Sequence, residues 1–330
     1  MSGSSGGSNN IIRVILIYIK LPGYNELSTK EAAPMPQILA NGITLEYDVF
    51  GSERTKSIVL ISGLGVQMIR WAVPFCEALA AKGYRVIRFD NRDAGLSTHF
   101  NDAPVPDLAS VAKAVANGVC PKIPYTLHDM ASDVTGLLDA LEIEQAHLVG
   151  RSMGGMIAQL VASCHPHRVP SLTVIMSGTG NPELPPSAPE AMAALLRPAP
   201  NPLEDEAGFL DHVVAASRVI ASPAYPFDEV AQRAQALAET KRAYNAAGFG
   251  RQIAALIAAG DIRNRLHTIT ASTLVVHGAA DKLVPPEAGR DIAANIEGAE
   301  LMMMEGMGHD LPPELYNVVI DAIAENACAT

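Results

Sequence analysis

From residue 37 onward, short apolar runs alternate with stretches whose apolar residues recur at helical spacing. That alternation predicts a mostly parallel sheet flanked by helices, an α/β fold. Residues 43–50 alternate apolar and polar, as a half-exposed strand does. Residues 57–62, SIVLIS, form a continuous apolar run suited to a strand covered on both faces. Further strands are predicted at 84–89, 146–150, 171–176, 273–277 and 300–304. Helical spacing predicts a helix over 71–82, which Gly83 ends. It predicts another over 127–141, where Met130, Val134, Leu137, Leu138 and Leu141 share one face. Helices over 153–164, 286–296 and 313–327 complete this set.

The pattern changes between 178 and 267, where no strand is legible. Proline-rich segments at 181–186 and 197–202 alternate there with alanine-rich helices. A helical insertion into a parallel sheet sits over the sheet's carboxyl edge, where such sheets bind ligands. The expected organisation is a flexible leader and N-terminal arm at 1–36, a first core part at 37–177, a helical cap at 178–267 and a second core part at 268–330.

Composition and charge narrow the function classes. With 330 residues, 48% of them hydrophobic and 18% charged, the chain can bury a large core, which excludes disorder as its main state. Its 24 Lys and Arg against 35 Asp and Glu leave a formal charge of −11. Such a chain is a poor partner for phosphate backbones or anionic lipid, so neither nucleic acid nor a membrane surface is expected. Cys76, Cys120, Cys164 and Cys328 are widely separated and form no CxxC pair, which fits a reducing compartment, the cytoplasm. The apolar run at 11–19 has nine residues, includes Arg13 and is too short for a membrane span. It is expected as an extra strand or as an arm against a neighbouring subunit, which makes a homo-oligomer one expectation. No metal-ligand spacing and no phosphate-binding glycine loop is present, so neither metal nor cofactor is expected.

The strongest chemical signal is Gly150-Arg151-Ser152-Met153-Gly154-Gly155, a G-x-S-x-G placed directly after a strand and directly before a helix. This is the setting of a nucleophile elbow, in which a strained turn lifts the serine hydroxyl above the sheet. Ser152 is therefore the candidate nucleophile. The Met153 amide, at the start of the following helix, is a candidate oxyanion donor. A serine hydroxyl needs a base, and the base needs an orienting acid, in the chain order Ser, acid, His. Asp281 leaves the 273–277 strand and His309 leaves the 300–304 strand, both at the edge that carries Ser152. Asp310 is the rival acid, although its adjacency to His309 makes a side-by-side hydrogen bond awkward. A second oxyanion donor is expected from the loop Ser62-Gly63-Leu64-Gly65, with the Leu64 amide as candidate. Arg70 and Trp71, just after that loop, are candidate pocket residues.

These motifs together resemble the α/β-hydrolase superfamily, over the span from about residue 37 to the C-terminus. The pieces that carry the resemblance are Gly63-Leu64-Gly65, Asp90 to Ser97, the Ser152 elbow and the Asp281 and His309 ends, in that order. The resemblance implies an eight-stranded sheet, a Ser-His-Asp triad and a cap that shapes the pocket. More narrowly, the chain is similar to the capped bacterial esterases and lactonases that include aclacinomycin methylesterase-like and enol-lactonase-like enzymes. It differs from them in having Ser62-Gly63 for the usual His-Gly and Arg92-Asp93 for the usual Arg-Gly. The implied activity is hydrolysis of a small carboxylic ester or lactone through an acyl-enzyme. Carbon–carbon bond or amide hydrolysis by the same triad, and a receptor-like ligand binder of the same fold, are the alternatives.

Overall fold

In the computed structural model, residues 35–329 are described. The expected arm at 11–19 lies outside them. Eight strands form one sheet: β1 (Gln37–Ala40), β2 (Ile43–Phe50), β3 (Ser57–Ile61), β4 (Arg85–Phe89), β5 (Ala146–Arg151), β6 (Ser171–Ile175), β7 (Ser272–Gly278) and β8 (Glu300–Met304). Their order is β1-β2-β4-β3-β5-β6-β7-β8. The pairs β1/β2 and β2/β4 are antiparallel, and the other five pairs are parallel. The central strands β3 and β6 are buried at every position, as strands covered on both faces must be.

Alternation sends the strand side chains to opposite faces. Val59, Ile61, Leu148 and Val174 pack with α3 (Leu127–Ala140) and α4 (Met153–Cys164). Ile58, Leu60, Val149 and Val276 pack on the other side, with α1 (Val73–Ala81) and α11 (Tyr316–Cys328). On the first face, α3 begins at a reciprocal capping box between Thr126 and Asp129. The helix expected over 71–82 starts later, at Val73, with Pro74 in its first turn. Trp71 therefore stands in the short extended link after a single 3-10 turn at Met68–Arg70.

Two elements escaped the hydrophobic pattern. Strand β1 is a four-residue edge strand joined to β2 through Asn41 and Gly42, at φ 48° and 75°. Two positive φ values in succession mark the tight hairpin turn that Asn-Gly favours, so its signal was present. Helix α2 (Leu108–Ala116) was missed because its alanine-rich sequence carries one buried residue, Val111.

Between β6 and β7 the chain runs through α5 (Pro189–Leu196), α6 (Glu206–Ile220), α7 (Glu229–Arg242), α8 (Ala246–Ala259) and α9 (Arg263–Leu266). Side chains of Asp205, Asp228 and Asn245 cap α6, α7 and α8 by accepting from amides three residues on. Helix α8 packs against α2. Buried charge pairs tie these helices to the loop after β4. Arg251 holds both Asp93 oxygens, at 2.7 and 2.8 Å, and Arg242 reaches Asp90 at 2.6 Å. Among the described residues no helix is long and apolar enough to cross a membrane. Helix α10 (Pro286–Asn295) covers β7 and β8.

Candidate active site

Ser152 stands in the turn between β5 and α4, with φ 53° and ψ −126°. A non-glycine residue held at positive φ carries backbone strain of order 1–3 kcal/mol, which the surroundings must enforce. Here the Ser152 amide donates to the Ile175 carbonyl at 2.9 Å, and the Ser177 hydroxyl donates to the Ser152 carbonyl at 2.7 Å. The flanking glycines are steric requirements. A Cβ on Gly150 would lie 2.2 Å from the Gly154 carbonyl oxygen, and one on Gly154 would lie 2.3 Å from the Ile61 carbonyl oxygen.

The structure brings Ser152, His309 and Asp281 together across 157 and 28 residues of chain. Ser152 Oγ lies 3.1 Å from His309 Nε2, and His309 Nδ1 lies 2.8 Å from Asp281 Oδ2. The Asp281 side chain is fully buried. Its other oxygen accepts from the Leu283 and Val284 amides, both at 2.9 Å, which fixes the carboxylate's orientation. Acceptance at Oδ2 leaves the proton on His309 Nδ1 and the lone pair of Nε2 facing the serine. Nearby His277 donates from Nε2 to the Val284 carbonyl at 2.9 Å, and burial lowers its pKa.

Asp310, the rival acid, faces away from this chain. Its Oδ1 accepts from the Ser222 amide at 2.8 Å and from the Ser222 hydroxyl. The same hydroxyl accepts from the Gly308 amide at 2.8 Å, and the His309 amide donates to the Ile220 carbonyl at 2.8 Å. The histidine loop is thus fastened to the end of α6. Nothing in the spacing of the sequence marks Ser222, which lies 88 residues from Asp310.

The loop after β3 abuts the serine. A Cβ on Gly63 would lie 3.2 Å from Ser152 Cβ. The Leu64 and Met153 amides have no hydrogen-bond acceptor among the described residues. Gly65, at φ 65°, donates to Gln252 Oε1 at 2.7 Å, and a Cβ there would strike the Phe249 ring at 2.6 Å. Helix α8 therefore holds this loop in place, through residues that no sequence motif announces.

Arg70 and Trp71, the expected pocket residues, have different surroundings. Arg70 is committed to Glu239 of α7, with Nε 2.8 Å from Oε1 and Nη2 on Oε2. Trp71 is 1% exposed, and the Arg151 guanidinium stands over its ring, 5.0 Å from the centroid. Burial first, and then the nearby Arg70 charge, bring the Arg151 pKa down to about 10.

Comparison with known proteins agrees with the fold. A family model described as the alpha/beta hydrolase fold matches residues 56–314. The chain is 27% identical to rhodomycin D methylesterase of Streptomyces sp. (strain C5) over 315 residues, covering 90% of this chain and 99% of that protein. It is 32% identical over 270 residues to a putative carbamate hydrolase of Variovorax paradoxus, covering 80% and 89%. The crystal structure of the enol-lactonase from Burkholderia xenovorans LB400 superposes with a TM-score of 0.67 at 24% identity, covering 89% of this chain and all of that one. At that identity the superposition speaks to the fold, while the family match spans 259 residues of the chain (314 − 56 + 1). This protein is a member of the α/β-hydrolase family.

Proposed function

We propose that the protein is a serine hydrolase that cleaves a small carboxylic ester or lactone through an acyl-enzyme. The reading is carried by one observation, the hydrogen-bonded chain from Ser152 Oγ through His309 to Asp281. In this reading His309 Nε2 takes the Ser152 proton as Oγ attacks the carbonyl carbon. Asp281 holds the proton on Nδ1 and stabilises the imidazolium. The Leu64 and Met153 amides receive the oxyanion, each worth roughly 3 kcal/mol of barrier in comparable sites. His309 then protonates the leaving oxygen and activates the water that clears the acyl group. Residues 178–267 act as the cap over this edge, with 37–177 and 268–330 as the core.

Similarity to a methylesterase and a putative carbamate hydrolase supports carbonyl-directed hydrolysis of a small molecule. A serine at the elbow favours acyl transfer over the alkyl-enzyme chemistry of a carboxylate nucleophile.

The test is labelling with a fluorophosphonate probe beside turnover of p-nitrophenyl esters of increasing chain length. Wild type is expected to label and turn over, and Ser152→Ala to do neither. Binding of an ester without labelling or turnover in the folded wild type would favour a ligand-binding member of the fold.

A further inference from the structure

Arg151 sits one residue before the candidate nucleophile, and its charge is unaccounted for. Its side chain makes no hydrogen bond and no ion pair with any other described residue. Elsewhere an arginine without a partner is unremarkable because water solvates it. Arg54, Arg197 and Arg265 have none for their side chains, and all three are exposed. Arg151 is only partly exposed, at the carboxyl end of β5. A guanidinium that is only partly shielded and has no counterion keeps donors that an incoming anion can take in place of water.

The nearest carboxylate does not supply it. Both Glu239 oxygens are taken by Arg70, and Oε1 also accepts from Gln235 at 3.3 Å. What holds Arg151 is stacking on Trp71, a contact that orients a guanidinium while leaving its N–H donors free. Register places Arg151 on the same sheet face as Val149, the face that carries Trp71 and Tyr316. It therefore stands between the segment after the oxyanion loop and the start of α11. The Trp71 indole nitrogen is also buried without an acceptor. One stacked pair beside Ser152 thus leaves a cation and an N–H donor unpaired, while the neighbouring Arg70–Glu239 pair is neutral overall.

We propose that the Arg151 guanidinium, seated on Trp71, binds a carboxylate of the substrate, so that the preferred substrates are short esters or lactones bearing an anionic group a few bonds from the scissile carbonyl. This rests on the hydrolase reading above. Arg151 touches the substrate's remote anion and takes no part in bond making. A guanidinium presents paired donors that match a carboxylate's two oxygens, and the shielded site strengthens that attraction.

The experiment compares charged and neutral partners in two pairs of esters. One pair is p-nitrophenyl hemiglutarate against p-nitrophenyl valerate, with the charge in the acyl group. The other is 4-acetoxybenzoate against its methyl ester, with the charge in the leaving group. Wild type is expected to favour the charged member of one pair at least tenfold in kcat/KM, mainly through KM, and added salt should reduce that ratio. Arg151→Met should abolish the preference, and Arg151→Lys should keep part of it. A wild type that prefers the neutral member of both pairs would overturn the proposal. So would an Arg151→Met variant with an unchanged ratio. If thermal melting shows that Arg151→Met does not fold, the wild-type ratios and their salt dependence decide alone. Absence of any turnover and of fluorophosphonate labelling would instead overturn the hydrolase reading, and the substrate proposal with it.

Discussion

Replacing Ser222 by alanine removes one hydroxyl that holds the histidine loop to the end of α6. The hydroxyl accepts from the buried Gly308 amide at 2.8 Å and donates to Asp310 Oδ1. Leaving the Gly308 amide without an acceptor costs about 1–3 kcal/mol. The lost bond to the carboxylate would add about 1.5–3 kcal/mol alone, but the Ser222 amide still donates to the same oxygen at 2.8 Å. A net destabilisation of about 2–3 kcal/mol follows, or a fall of roughly 5 °C in Tm for a chain of this size. His309 adjoins both ends of the clamp, so kcat on a p-nitrophenyl ester should fall by about tenfold through loss of positioning.

The sign with pH is also fixed. Burial raises the Asp310 pKa, and the two Ser222 hydrogen bonds pull it back. Alanine removes one of them and lets the pKa rise further. A raised carboxylate weakens the fold where it is ionised and not where it is protonated. The deficit of Ser222→Ala should therefore be largest near neutrality and shrink as pH falls into the carboxylate range. Only the Gly308 contribution should remain there. Urea denaturation at several pH values measures this. A Tm change within about 1 °C together with an unchanged kcat would refute the clamp.

Gly154→Ala would place a Cβ 2.3 Å from the Ile61 carbonyl oxygen and 2.6 Å from that of Ser62. It should cost about 3 kcal/mol and displace the serine, lowering ester turnover about a hundredfold, as melting and steady-state kinetics would report. Asp93→Ala strands the buried Arg251 guanidinium and should cost about 3–5 kcal/mol in urea denaturation at pH 7. Burial pushes the Asp93 pKa up, but bonds from Arg251 and Tyr125 outweigh it and hold it below the usual carboxylate range. Its contribution is thus present above the ordinary carboxylate pKa and fades as pH drops through the lowered value, so the deficit should narrow in acid. If Asp281 orients His309 as proposed, Asp281→Asn should leave the fold intact by circular dichroism while lowering kcat by about 10⁴.

What the sequence disclosed follows from where its signals are local. The strand-turn-helix context of Ser152 needs six consecutive residues, and the strand ends before Asp281 and His309 are continuous apolar runs. The sheet, and the edge at which Ser152, Asp281 and His309 meet, could be read from such segments. The supports were hidden because each is a lone polar residue whose partner is remote in the chain. Gln252 lies 187 residues from Gly65, and Arg251 lies 158 from Asp93. In sequence these are polar positions on alanine-rich helices, indistinguishable from a solvated face. The hairpin at Asn41-Gly42 was readable from turn chemistry but was masked by the shortness of β1.

The triad mechanism requires a covalent acyl group on one hydroxyl. Trypsin cuts after Arg151, so Ser152 begins the peptide that runs to Arg168. The decisive measurement is to mix the protein with a p-nitrophenyl ester, quench in acid during the first turnovers, digest, and weigh that peptide. Gain of one acyl mass on the 152–168 peptide, absent from Ser152→Ala and chased away by water at neutral pH, is the expected result. Turnover with no acyl adduct on that peptide, or with an adduct on another residue, would contradict Ser152 as the nucleophile.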